Sequence, residues 1–285
     1  MLPSGGRCRQ RHAGRTGGLR CWRSDGRCRG RGSMTDSWLV ITLEAPLASF
    51  GEAAGNAQRG TAERASRSAL LGLAGAALGL RREDAAGQSR LFAGLRTASL
   101  SQRSGKLLTD FHTYQSLPSP AGAPRSRAAA LALREELSTS ITRREYRMDV
   151  RYLAGFIAAD GVAEGEGIDL AALAEAFRRP RFTLWLGRKS CPLSRPLNPQ
   201  VVPATDAAGA FLAYLEADPS LLGTMPREAE LAVETLGDLP SGAAISRQHT
   251  RRDDPQSRTS WQFASRSEYV TGLSLPARPE REAAR

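Results

Sequence analysis

The chain has 285 residues, a formal charge of +11 and a 41% hydrophobic share, globular in composition and long enough for two domains at about 150 residues each. Its longest stretch without a polar side chain, residues 69–80, has 12 residues. A spanning helix needs roughly 20, so the composition argues against a membrane protein, and four cysteines are too few for a disulfide scaffold.

The positive charge points to a polyanionic partner, but it is uneven. Residues 1–33 hold nine Arg and one acid, Asp25, for +8. The remaining residues hold 31 basic and 28 acidic groups, for +3, so any nucleic-acid site must be local. The first 33 residues have too few large aliphatic side chains to offset their ordering entropy, and they read as a disordered basic extension. Cys8, His12, Cys21 and Cys28 within them match no zinc spacing. The segment has the composition of a GC-rich frame read beyond its start, and a conventional domain is expected from Met34.

Residues 38–43 (WLVITL) form an apolar, β-branched run and read as a doubly buried strand. Residues 47–60 read as a loop. Ser66 or Ser68 caps a helix through Leu80, with Leu70, Leu73, Ala74, Ala77 and Leu78 on one stripe and Gly72, Ala76 and Gly79 on a small face. Residues 95–100 and 106–113 read as a hairpin around 101–105. Residues 117–124 leave the sheet, and 125–137 are Ala/Leu/Arg-rich and helical by propensity. Residues 142–152 alternate: Tyr146, Met148, Val150 and Tyr152 on one side, Arg143, Glu145, Arg147, Asp149 and Arg151 on the other. Asp169 caps a helix that Pro180 stops, and residues 181–186 read as a strand ended by Gly187. A short helix over 206–215 and strands over 230–236 and 261–270 suggest a smaller, mostly β region over 201–275. Residues 276–285 read as a disordered tail.

The fold class expected is α+β: a decorated β-α-β-β-α-β, ferredoxin-like plan over 34–200 with an insertion near 117–141. Four constellations could carry chemistry. Arg188, Lys189 and Ser190 follow Gly187, where a phosphate could sit beside exposed backbone. Arg59, Arg64 and Arg67 precede the first helix, another phosphate position. Arg143, Arg144 and Arg147 line the alternating strand, where cross-strand pairs with acids compete for them. Lys106, Asp110, His112 and Tyr114 could cut RNA without metal by general acid–base chemistry, although a His beside an Asp is more often a structural pair. Cys191 reads as packed, not nucleophilic. No Walker loop, H-E-x-x-H or D-x-D cluster is present, which argues against motors and two-metal nucleases.

The segments Leu43-Glu-Ala-Pro-Leu-Ala-Ser-Phe-Gly51, residues 67–84, Asp110-Phe-His-Thr113, Arg144-Glu-Tyr146, Leu186-Gly-Arg-Lys-Ser-Cys-Pro-Leu193 and Gln262-Phe-Ala-Ser-Arg266 run in order. Together they resemble the CasD subunit family of type I-E CRISPR Cascade complexes. The resemblance covers residues 38–270 and leaves 1–33 without a counterpart. It implies a modified ferredoxin-like (RNA-recognition-motif-like) domain with a thumb near 117–141. It also implies a cytoplasmic ribonucleoprotein subunit that grips the 5′ handle of the guide RNA (crRNA) and caps one end of the complex in antiviral defence. Its neighbours would be the backbone and large subunits, with target DNA contacted indirectly. No cofactor or metal is implied. The RNA-binding residues expected are Arg59, Arg64, Arg67, Lys106, His112, Arg143, Arg144, Arg147, Arg188, Lys189 and Ser190. In type I-E another subunit cuts the guide, so a binder is expected here. In a sister subtype the related subunit is itself the nuclease, which keeps the endoribonuclease reading as the alternative.

Overall fold

A computed structural model describes residues 35–51, 57–117, 124–161, 167–222 and 227–276. The basic extension before Met34, with its four candidate ligands, lies outside them, as do 118–123 of the exit segment and 277–285 of the tail. Among the described residues no helix is long and apolar enough to cross a membrane.

Among the described residues nine strands join in one sheet: β1 (Asp36–Ala48), β2 (Gln58–Arg59), β3 (Leu95–Arg103), β4 (Lys106–Ser116), β5 (Ser138–Ala158), β6 (Gln200–Ala204), β7 (Glu228–Val233), β8 (Arg247–Ser257) and β9 (Gln262–Ser274). The order is β6-β1-β5-β3-β7-β9-β8, with β2 and β4 both pairing β5. The helices are α1 (Arg67–Leu78), α2 (Ala85–Gly94), α3 (Arg127–Ala132), α4 (Leu170–Arg178) and α5 (Ala207–Ala217). Ser66, Asp84, Asp169 and Asp206 each accept a backbone N–H at the start of α1, α2, α4 and α5. Gly79, at φ +78°, ends α1 in the left-handed region.

Alternation along β1 and β5 divides the core. Leu39, Ile41 and Leu43 join Leu70, Leu73 and Phe177 of α1 and α4 on one face. Trp38 and Val40 join Leu153, Phe211 and Tyr214, the last two from α5, on the other. Burial of both faces is why 38–43 is apolar but for Thr42, whose hydroxyl meets the Tyr214 hydroxyl at 2.9 Å.

Several expectations are corrected. The strand at 38–43 continues to Ala48, and β2 lies inside the expected 47–60 loop, because residues 44–48 find partners on β5 from Arg151 to Arg147. The hairpin around 101–105 does not form. Both β3 and β4 pair β5, at Arg103↔Arg151 and Lys106↔Met148, so they run end to end beside a 21-residue strand. Ser104 and Gly105, with Gly105 at φ +71°, are a break in that run. Beyond β2 the β4–β5 pair continues alone as a two-stranded arm. Of the insertion expected at 117–141, the described residues supply α3, a 3-10 turn and the start of β5. The helix expected over 125–137 shortens to α3 and a 3-10 turn at Arg134–Glu136, with no buried residue on α3 to hold it.

Residues 181–186 form no strand. The N–H groups of Arg181 and Phe182 instead donate to the Ala77 and Ala76 carbonyls at the end of α1 (3.0 and 3.1 Å). The separate β-rich region expected over 201–275 does not exist as such: β6 pairs β1 and β7 pairs β3, extending the same sheet at both sides. Strand β7 stops at Val233, where Thr235 opens a 3-10 turn.

Candidate nucleic-acid interface

Gly187 brings two chain segments into contact. Its φ is +89°, and a Cβ there would stand 1.7 Å from the Ser49 carbonyl oxygen. Ser49 N–H donates to Leu186 O at 3.0 Å, so the loop after α4 is fastened to the end of β1. On α1 a groove is lined by Ser68, Ala69, Gly72 and Ala76, all small, together with Leu73. Small side chains leave it open, at about 870 Å³.

Four cations line it, Arg59, Arg188, Lys189 and Arg258, together with four aromatic rings, Phe182, Trp185, Trp261 and Phe263. Among the described residues no Asp or Glu lines it. Trp261, 52% exposed, sits at φ +52° in the β8–β9 turn between Arg82 and Arg258, whose guanidinium carbons lie 4.4 and 4.8 Å from its ring. Burial pushes the Arg258 guanidinium down from its ordinary pKa, and the like charge of Arg82 adds to this. An anion bound there would relieve that repulsion. Lys189 lies 5.7 Å from the Trp185 ring. Cations interleaved with open aromatic faces suit single-stranded nucleic acid, whose backbone takes the charge and whose bases stack.

Of the expected contacts, Arg59, Arg188 and Lys189 meet in this groove; Ser190 is exposed beside it. Arg188 does more than offer charge. It donates to Glu145 O (3.1 Å) and Arg59 O (3.2 Å) and stacks 4.6 Å from the Tyr146 ring, which ties the groove to the base of the arm.

Arg64 and Arg67 are corrected. Both are buried, and both are spent on acids distant in sequence. Arg64 pairs with Glu230 (2.7 Å) and Glu268 (3.0 Å). Arg67 pairs with Asp254 and Glu234 (both 2.8 Å) and donates to the carbonyls of Leu95 and Phe92. They fasten α1 and the residues just before it to strands β7, β8 and β9.

The arm carries the remaining candidates, on two faces. Lys106, Asp110, His112 and Tyr114 share one face of β4 with Arg144 opposite Asp110; Arg143 and Arg147 take the other face. Arg143 lies 6.0 Å from the Phe111 ring, and Arg147 pairs with Glu63 at 3.4 Å. Lys106, His112 and Tyr114 are exposed, and no hydrogen bond joins Asp110 to His112 among the described residues. Cys191 is fully buried, and burial raises its thiol pKa, in keeping with a packed residue. Among the described residues no group of three His, Cys, Asp or Glu could hold a metal ion.

Sequence reasoning missed Arg82, Arg258, Trp261 and Phe263 as site residues. Trp261 and Phe263 are visible only as part of a strand, and nothing local says that the β8–β9 turn reaches α1.

Comparison with known proteins places this arrangement. The chain is 31% identical over 244 residues to the CRISPR system Cascade subunit CasD of Escherichia coli (strain K12), an alignment covering 82% of this chain and 95% of that protein. Its fold is similar to a chain of a solved CRISPR RNA-guided surveillance complex, with TM-score 0.56, 21% identity, and 86% and 95% of the two chains covered. A solved Cas protein aligns with TM-score 0.50 at 26% identity, over 84% and 95%. A family model described as CRISPR-associated protein (Cas_Cas5) matches residues 38–268, and the chain belongs to that family.

Proposed function

We propose that this protein is a non-catalytic subunit of a Cascade-type CRISPR surveillance complex, and that it binds the 5′ handle of the guide RNA and caps one end of the assembly. The observation that carries the reading is the acid-free groove, with its four cations and four aromatic rings in a family of CRISPR proteins. Residues 34–285 as a whole carry only +3, so this local concentration is where a polyanion gains most within them. The β1-α1-β3-β5-α4-β6 connection with spatial order β6-β1-β5-β3 supports a modified ferredoxin-like reading, with the arm as its thumb. The backbone and large subunits of Cascade are the protein partners proposed, target DNA is reached through them, and the setting is the cytoplasm.

The endoribonuclease alternative rests on Lys106, Asp110, His112 and Tyr114. Their face of β4 gives it less support than the groove gives the binding reading, since His112 is exposed and no hydrogen bond joins it to Asp110 among the described residues. The alternative is an enzyme that processes CRISPR repeat RNA, so the test uses labelled repeat-containing RNA without metal. Wild type binds it without shortening it, and Trp261→Ala weakens binding by about 1–3 kcal/mol, the worth of one stacked base. Metal-independent cleavage by wild type that disappears in His112→Ala would replace the binding reading with the nuclease one.

A further inference from the structure

A second cavity, of about 450 Å³, opens where β3, β7 and β9 end, and shares no residue with the groove. Its walls include Ser101, Gln102, Ser104, Glu228, Ser246 and Thr271. Gln102 is only 2% exposed, yet among the described residues neither its amide nitrogen nor its amide oxygen has a hydrogen-bond partner, and neither does the hydroxyl of Ser101. Buried amides left unpaired are costly, so a site that keeps one is organised for something that arrives later. The backbone agrees: the β3–β5 register shifts between Ser101 and Arg103, so Gln102 is the extra residue of a β-bulge, a device that re-aims a side chain.

The walls select the occupant. Among the described residues no basic side chain lines the cavity, and its oxygens are carboxylate, amide and hydroxyl acceptors. Glu230 is already held by Arg64 and Arg247, whereas Glu228 is exposed and pairs with no cation among the described residues. Phosphate would be repelled here. A guanidinium offers several N–H donors in a planar fork, and the peptide group beside it offers a carbonyl to the Gln102 amide nitrogen. From this complementarity we infer that the cavity is a docking site for an arginine of a partner polypeptide.

The test is a titration of the isotopically labelled full chain, reading the Gln102 side-chain amide by NMR. N-acetyl-arginine methylamide shifts that signal saturably, whereas N-acetyl-leucine methylamide and spermidine do not. Glu228→Gln raises the half-saturating concentration roughly three- to fivefold, the worth of one exposed ion pair. Gln102→Leu removes the unpaired groups, so it melts no lower than wild type while the probe no longer perturbs Ser246 or Thr271. No response to the arginine probe, an equal response to leucine or spermidine, or a response to handle RNA instead would each overturn the assignment.

Discussion

Single residues decide whether the groove exists. Gly187 is required twice over, by its left-handed φ and by the Ser49 carbonyl that occupies the space of a Cβ. Gly187→Ala is therefore expected to cost about 3 kcal/mol or more, since both the strained conformation and the displaced backbone count. A thermal melt reads this as a loss of about 6–12 °C at roughly 2–4 °C per kcal/mol for a chain of this size, and an unchanged melt would mean that the loop is not held against β1. The role of Gly187 as a point of close approach was legible in the sequence, because a glycine between a basic pair and an apolar run has few other uses. The fate of Arg64 and Arg67 was not. Cations before a helix suit a phosphate by local rules, but Glu230, Glu234, Asp254 and Glu268 lie more than 160 residues further on, and nothing local announces them.

At the scale of elements, the same acids explain how the outer strands are fixed. Glu268 on β9 is 3% exposed and accepts from Arg64 (3.0 Å), Arg251 (3.1 Å) and Arg266 (3.2 Å), joining α1, β8 and β9. Glu268→Gln leaves three cations around a neutral group, and breaking such a buried network costs about 3–5 kcal/mol. Denaturant unfolding measures it; a cost below about 1 kcal/mol would show that the network is loose and solvated. Because Trp261 and Arg258 reach α1 through this attachment, the variant should also weaken RNA binding. The arm shows where pattern reading stops. Residues 142–152 alternate as expected, but periodicity does not say what a strand pairs with. The continuous register from Arg103↔Arg151 to Lys106↔Met148 makes one long pairing out of what local signals present as a hairpin.

For the whole molecule, the elements visible in the sequence were those with strong local causes: β1 by its β-branched run, and α1 and α4 by their caps and apolar stripes. Helix α2 was missed because its two glycines and few apolar residues weaken both propensity and period. The C-terminal strands were visible in part, but their place in the same sheet depends on non-local pairing. That shared sheet gives the chain one acid-sensitive joint. Burial pulls the Glu44 carboxyl up, but Arg151, Arg195 and Arg103 outweigh it and hold the group below the ordinary value of 4.5. A lowered folded pKa contributes stability that is present above the unfolded value and lost as pH falls below it through the folded one. Glu44→Gln should lower stability at neutral pH and flatten the decline below about pH 4.5, and pH-dependent melts that stay parallel to wild type would contradict this.

The central claim is that the groove between α1, the Gly187 loop and the β8–β9 turn holds an RNA backbone. Arg188 also braces the arm through two carbonyls, so Lys189 and Arg258 are the cleaner probes of charge. The measurement is a salt titration of handle-RNA affinity for wild type and the Lys189→Ala, Arg258→Ala double variant. Phosphate contacts set position without reading bases, so affinity should fall alike for all handle sequences. Two lost contacts should flatten the slope of log affinity against log salt by about 1.4, at about 0.7 for each single-strand phosphate. A double variant with the wild-type affinity and slope would show that the RNA does not lie in this groove.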